Sequence, residues 1–168
     1  MSREAHRRSV TSRAMDGFVE RGGLWVSAQA VLLVAIVWIG RLDLMTFSFD
    51  GQQAVGWTLI GLAVVIGVAA SRSLGGNLTP YPKPVVAGTM VEHGLYRVVR
   101  HPIYSAVIVG MIGIALRGGD WISLALAVGL VPFFYAKSTF EERHLVECYP
   151  SYVEYQRRVP KRMVPGIL

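Results

Sequence analysis

Residues 102–136, "PIYSAVIVGMIGIALRGGDWISLALAVGLVPFFYA", contain two uncharged apolar blocks, Pro102 to Leu116 and Trp121 to Ala136, parted only by "RGGD". At a rise of 1.5 Å per residue, each is short for a ~30 Å hydrocarbon core. The pair reads as a tight helical hairpin whose ends are completed by flanking residues. The competing reading, two helices buried in a water-soluble core, loses weight once the rest of the chain is considered. Two longer windows, "LWVSAQAVLLVAIVWIG" between Arg21 and Arg41 and "AVGWTLIGLAVVIGVAA" between Gly51 and Ser71, carry no charge and are long enough to cross. Only 17% of the residues are charged, against about 25% in a typical soluble domain. The expectation is an all-α, polytopic membrane bundle of about four crossings, including the C-terminal helical hairpin and followed by a cytoplasmic helical segment.

Charge orients this bundle. Of the 17 Lys and Arg, four crossings leave only Arg41 and Arg117 on the side opposite the termini and the 72–101 loop. The positive-inside bias therefore puts both termini and that loop in the cytoplasm. The net charge of +6 is accounted for by anionic lipid head groups, and no nucleic-acid partner is expected. Residues 1–22, polar and basic without the apolar core of a signal peptide, read as a cytoplasmic lead-in to a single domain over 23–168. With Cys148 as the one cysteine, an internal disulfide and a thiolate-built metal site are both excluded, and no metal is expected. Gly61, Gly67, Gly110 and Gly113 permit close helix contacts.

Polar groups collect on either side of the hairpin. Ahead of it stands "GLYRVVRHPIY" (94–104), in which Pro102 suits the first helical position and His101 the cap. Arg97, Arg100 and His101 bring cationic donors to that helix start, and Tyr96 and Tyr104 bring rings and hydroxyls. Alone, this would pass for head-group anchoring. Behind the hairpin comes "AKSTFEERHLVECYPSYVEYQRRVPKRMVP", where Lys137 and Glu141 share one helix face, Glu142 and Leu145 lie beside it, and Tyr149, Tyr152 and Tyr155 recur at every third position. Opposite charges held at one membrane depth are costly unless they are paired or serve a site, so two clusters bracketing one hairpin suggest a pocket. The intervening loop from Ser71, with prolines 80, 82 and 84, takes an extended path and could wall that pocket.

The ordered set Gly94 and Tyr96; Arg100, His101, Pro102 and Tyr104; Glu141, Glu142 and Leu145; then Tyr152, Tyr155, Arg158, Val159 and Pro160 resembles the isoprenylcysteine carboxyl methyltransferase family, which is similar in turn to the phospholipid N-methyltransferases. The match covers about 74–165, and Ala106 and the "CYP" turn depart from the usual pattern. The resemblance implies an integral-membrane enzyme, and the short, basic chain without a eukaryotic targeting signal reads as bacterial, which puts the enzyme in the inner membrane. It would transfer a methyl group from S-adenosylmethionine to a lipophilic small molecule or lipid, with a carboxylate the favoured acceptor. A phospholipid or amine N-methyltransferase and a non-catalytic subunit of the same fold are the alternatives, with a nicotinamide-dependent membrane reductase behind them.

On that reading Arg100 and Glu141 carry turnover: the arginine orients a carboxylate, and the glutamate serves as base should the acceptor be an amine. Tyr96, His101, Pro102, Tyr104, Glu142 and Leu145 are assigned to the methyl donor; Arg97, Tyr152 and Tyr155 to the acceptor. The acceptor is expected to enter laterally between spans. A Rossmann-type nucleotide site is not expected, because no strand, glycine loop and helix follow one another.

Overall fold

The computed structural model describes residues 22–81 and 89–163. Most of the lead-in 1–22, Pro82 and Pro84 of the loop, and the tail beyond Met163 lie outside the described residues. Among the described residues, five α-helices follow in order: α1 (Gly23–Ile39), α2 (Gln52–Leu74), α3 (Pro102–Gly118), α4 (Trp121–Cys148) and α5 (Tyr152–Arg158). Short 3-10 turns occupy Gly75–Asn77 and Gly94–Arg97, and the described residues contain no strand beyond an isolated bridge between Thr46 and Asp120.

Two helical stretches, Gln52–Asn77 and Trp121–Cys148, are long and apolar enough to cross a membrane, with mean hydropathies of 2.1 and 1.4 over their most apolar windows. They are not the core of a soluble protein: only 11% and 33% of those windows is buried. Val64, Val65 and Val68 on α2 and Val128 on α4 stand exposed. On helices of this length and hydropathy, so large an exposed apolar surface marks a face that meets the membrane. The chain is a membrane protein. α1 and α3, at 17 residues each, are shorter apolar helices beside them.

The hairpin expected from the sequence forms, and α4 is longer than its uncharged block. It runs unbroken past Pro132 to Cys148, so the Glu141–Glu142 pair belongs to the membrane helix itself. Gly119, at φ +68°, ends α3 in the left-handed region, where a Cβ would sit 2.6 Å from the Phe47 carbonyl oxygen. Asp120 then caps α4. α2 and α3 approach closely through small residues: a Cβ on Gly113 would lie 2.8 Å from the Gly56 carbonyl oxygen, and one on Gly110 3.2 Å from Ala63 Cβ. Of the glycines expected at such contacts, Gly61 instead faces open space. The buried core joins Ile36 of α1, Ile108, Met111 and Ala115 of α3, and Ala127, Leu130 and Phe134 of α4. Met163, from the C-terminal segment, is inserted into the same core.

Candidate functional site

At the end of the bundle where α3 begins and α4 finishes, Glu142 is almost wholly buried, yet it is ringed by donors. Arg100 Nε donates to Oε1 at 2.7 Å and Arg100 Nη2 lies 3.4 Å from Oε2. His101 Nε2 lies 3.0 Å from Oε1. Gln156 Nε2 donates to Oε2 at 3.0 Å, and Arg162 Nη2 stands 3.3 Å from the same oxygen. A buried carboxylate is stable only when its charge and lone pairs are answered, and these groups do both.

The hub also fixes the backbone. Arg100 Nη1 donates to the Val159 carbonyl at 2.7 Å, the Arg100 and His101 amides donate to the carbonyls of Lys161 and Arg162 at 3.0 and 2.7 Å, and Ser105 Oγ donates to that of Met163. The C-terminal segment is thus strapped across the start of α3.

Beside this strap lies a cavity of about 430 Å³, within the range usual for small-molecule sites. Arg100 and Glu141, from the two clusters that flank the hairpin, both line it. Of the residues assigned to the methyl donor, Tyr96, His101, Tyr104 and Leu145 are on its wall; Pro102 and Glu142 are not. Of those assigned to the acceptor, Tyr152 and Tyr155 line it, whereas Arg97 borders a second, more open cavity with Glu92, His93 and Arg158.

The two adjacent glutamates have therefore separated in role. Glu141 presents its carboxylate to the cavity, where Tyr104 Oη donates to Oε2 at 2.6 Å and His101 Nδ1 lies 3.7 Å away. Tyr104 is stacked between His101 and Phe134, with centroids 5.2 and 4.6 Å apart.

The phenols outside the spans are donors and rings, not bases. Burial, reinforced by the Glu141 charge at Tyr96 and by Glu142 at Tyr152, holds those hydroxyls well above the ordinary phenol range, and burial does the same to Tyr155. Tyr155 Oη donates to the Tyr96 carbonyl at 2.7 Å, joining α5 to the turn before α3. That turn rests on Gly94, at φ +62°, where a Cβ would come within 2.6 Å of Ser73 Oγ. Asn77 closes the opposite wall, its amide exchanging hydrogen bonds of 3.0 and 3.1 Å with the Thr89 backbone.

Three side chains that matter here received no site role from the sequence. Gln156 and Arg162 complete the Glu142 hub; nothing in their spacing distinguishes them from surface residues. Gln29, read as a polar group satisfied by a neighbouring helix, does meet one: its Oε1 accepts from Lys137 Nζ at 2.6 Å, and both residues line the cavity.

A lipid-exposed helical bundle with a charged, aromatic small-molecule cavity at one end is the class that fold and site define. The model of the phospholipid methyltransferase family matches residues 52–151, and the chain belongs to that family. It is a membrane methyltransferase, and its chemistry calls for a methyl donor. The chain is 26% identical over 161 residues to the cobalt-zinc-cadmium resistance protein CzcN of Cupriavidus metallidurans, covering 89% of this chain and 67% of that protein. Over 73 residues it is 36% identical to protein-S-isoprenylcysteine O-methyltransferase B of Arabidopsis thaliana and 34% identical to the protein-S-isoprenylcysteine O-methyltransferase of Schizosaccharomyces pombe. Those two matches cover 42% of this chain and only 37% and 31% of the plant and yeast proteins.

Proposed function

We propose that the protein moves a methyl group from S-adenosylmethionine to the carboxylate of a lipophilic acceptor. The observation that carries this is the single cavity shared by Arg100 and Glu141, polar and aromatic toward the strap and apolar along Ile103, Val107 and Leu74. Such a gradient suits a water-soluble donor meeting a membrane-borne acceptor. The isoprenylcysteine O-methyltransferase relatives favour oxygen as the methylated atom.

The donor fits the residues present. Glu141 is the carboxylate on the wall and answers an ammonium group or ribose hydroxyls; Tyr96, Tyr152 and Tyr155 offer faces to a purine. When bound, S-adenosylmethionine supplies an electrophilic methyl on a sulfonium centre. The protein's share is alignment and exclusion of water. A carboxylate acceptor is already ionised at neutral pH and needs no base. Arg100 has three of its five N–H donors committed to Glu142 and Val159, so its first task is positioning: it keeps the strap closed over the site.

Four crossings, with both termini and the 72–101 loop in the cytoplasm of a bacterial inner membrane, accompany this reading. So do a single domain over 23–168 with its donor-binding part at about 74–165, and lateral entry of the acceptor. Arg41 and Arg117 lie at the end of the bundle away from the cavity, which supports that orientation.

The phospholipid methyltransferase family name keeps amine N-methylation as a second reading. Incubating the protein in liposomes with lipid extracts and methyl-labelled S-adenosylmethionine, then identifying the labelled product by mass, decides between them. A methyl ester supports the proposal; a methylated head-group amine replaces it.

A further inference from the structure

Among the described residues, Lys137 is the one on the cavity wall whose charge the site so far described leaves unused. It stands on α4 one turn, or ~6 Å, deeper into the bundle than Glu141. It is 2% exposed. Its ammonium donates to a neutral partner, Gln29 Oε1 of α1, and lies 5.2 Å from the centroid of the Tyr104 ring. Among the described residues, no carboxylate oxygen comes within 4 Å of it.

The contrast with Arg100 and Arg162 is plain, since both of those cations face Glu142. Ionisable groups at membrane depth are costly and are kept where they serve a pathway or a ligand. A buried ammonium held by an amide and the face of a ring has two N–H donors left and opens onto a cavity, while Glu141, one turn away, acts on it only from beyond ion-pair distance.

We propose that Lys137, held in place by Gln29, is the receptor for the acceptor's carboxylate at the apolar end of the cavity. The inference rests on the methyl-transfer reading above and names the group that recognises the substrate. An amphiphile entering laterally from the membrane brings its anionic head to Lys137 while its tail stays along Ile103 and Val107. A carboxylate also exists on S-adenosylmethionine, but that molecule arrives from the polar mouth, where Glu141 and the tyrosines sit. Methylation turns the acceptor's carboxylate into an uncharged ester, so the attraction to Lys137 ends with the reaction and the product is released into the membrane. Because the acceptor's charge is greatest before transfer, Lys137 strengthens substrate binding more than it lowers the barrier.

The test uses the full-length protein in liposomes, with S-farnesylcysteine bearing a free carboxylate as probe and its carboxamide as control. Lys137→Met should raise the KM for the carboxylate by about tenfold or more, the usual worth of a hydrogen bond to a charged group. The Kd for S-adenosylmethionine should stay within about twofold, with kcat little changed, and Lys137→Arg should recover part of the loss. Intact donor binding shows that the variants are folded. An unchanged KM overturns the inference. So does a loss confined to donor affinity, which would assign the ammonium to the donor's own carboxylate. If wild-type protein methylates no carboxylate, the proposed acceptor class fails separately. The subsite is then judged on retention of radiolabelled S-farnesylcysteine over the carboxamide: retention by wild type and loss in Lys137→Met support it, and no difference overturns it.

Discussion

The two ends of the helical bundle solve the same problem, that of closing a membrane protein against water, with opposite chemistry. The end away from the cavity is sealed by main chain and one carboxylate. Asp120 accepts from the amides of Met45 and Ser123, both at 2.8 Å; Gln52 Nε2 reaches the Leu116 carbonyl at 2.7 Å; Ser123 Oγ reaches that of Ile36 at 2.9 Å. Three of these four contacts join segments 64 to 87 positions apart in sequence, each through a backbone amide or carbonyl. The end that holds the cavity is closed by a charged hub drawing together residues 100–101, 142 and 156–162. Those links span some 60 residues of sequence, and they leave an empty volume beside them. The first arrangement only holds helices together; the second also keeps cations, the Glu141 carboxylate and rings facing one space. That difference locates function at one end.

Breaking the hub should have the largest effect. Glu142→Ala leaves Arg100, His101 and Arg162 without their shared counter-charge and should destabilise by about 3–5 kcal/mol. Thermal unfolding in detergent should fall sharply, and methyl transfer should vanish because the strap no longer covers the cavity.

Next comes Gly94→Ala, which forces a side chain into a left-handed position and against Ser73. A cost of roughly 2 kcal/mol or more and a displaced Tyr96 are expected. Donor affinity measured by calorimetry should drop together with stability.

A pH scan sharpens the comparison of the ends. Backbone hydrogen bonds from Met45 and Ser123 hold Asp120 below its ordinary 3.8, so its contribution is present above that value and lost as pH falls through the folded-state value. The buried Tyr96, Tyr152 and Tyr155 are raised above 10.0; their contribution is present below that pH and lost as pH rises beyond it. Melting midpoints followed across pH should therefore show the acid-side slope reduced in Asp120→Asn and the alkaline slope reduced in Tyr155→Phe. Asp120→Asn should leave donor affinity unchanged.

The smallest effect is expected from Tyr104→Phe. It removes one hydrogen bond to Glu141 and keeps the stacked ring, so donor binding should weaken by about 1 kcal/mol, read as a several-fold rise in Kd.

Much of this was legible in the sequence because the membrane imposes a coarse code. Uncharged windows mark helices, and charge excluded from hydrocarbon collects where a site is. The hairpin between Pro102 and Ala136, the Arg100–His101 and Glu141–Glu142 clusters, and their meeting at one end followed from that code. What was hidden depends on helix phase and on distant partners. Glu141 and Glu142 are neighbours in sequence, but about 100° apart around α4, and only packing decides which one faces the hub. Arg97 and Arg100 look equivalent until the turn at Gly94 sends them to different cavities. Gln156 and Arg162 sit in a polar tail whose composition does not distinguish hub from surface. Lys137 and Gln29 are 108 positions apart, a pairing that no local pattern announces.

The most direct test is calorimetric titration of the purified full-length protein with S-adenosylmethionine, comparing wild type with Glu141→Gln and with Asp120→Asn. The account predicts saturable binding by wild type and Asp120→Asn, and affinity lowered about tenfold or more in Glu141→Gln, the loss of a charged partner from the cavity wall. Equal affinity in all three proteins, or no binding to the folded wild type, would contradict it.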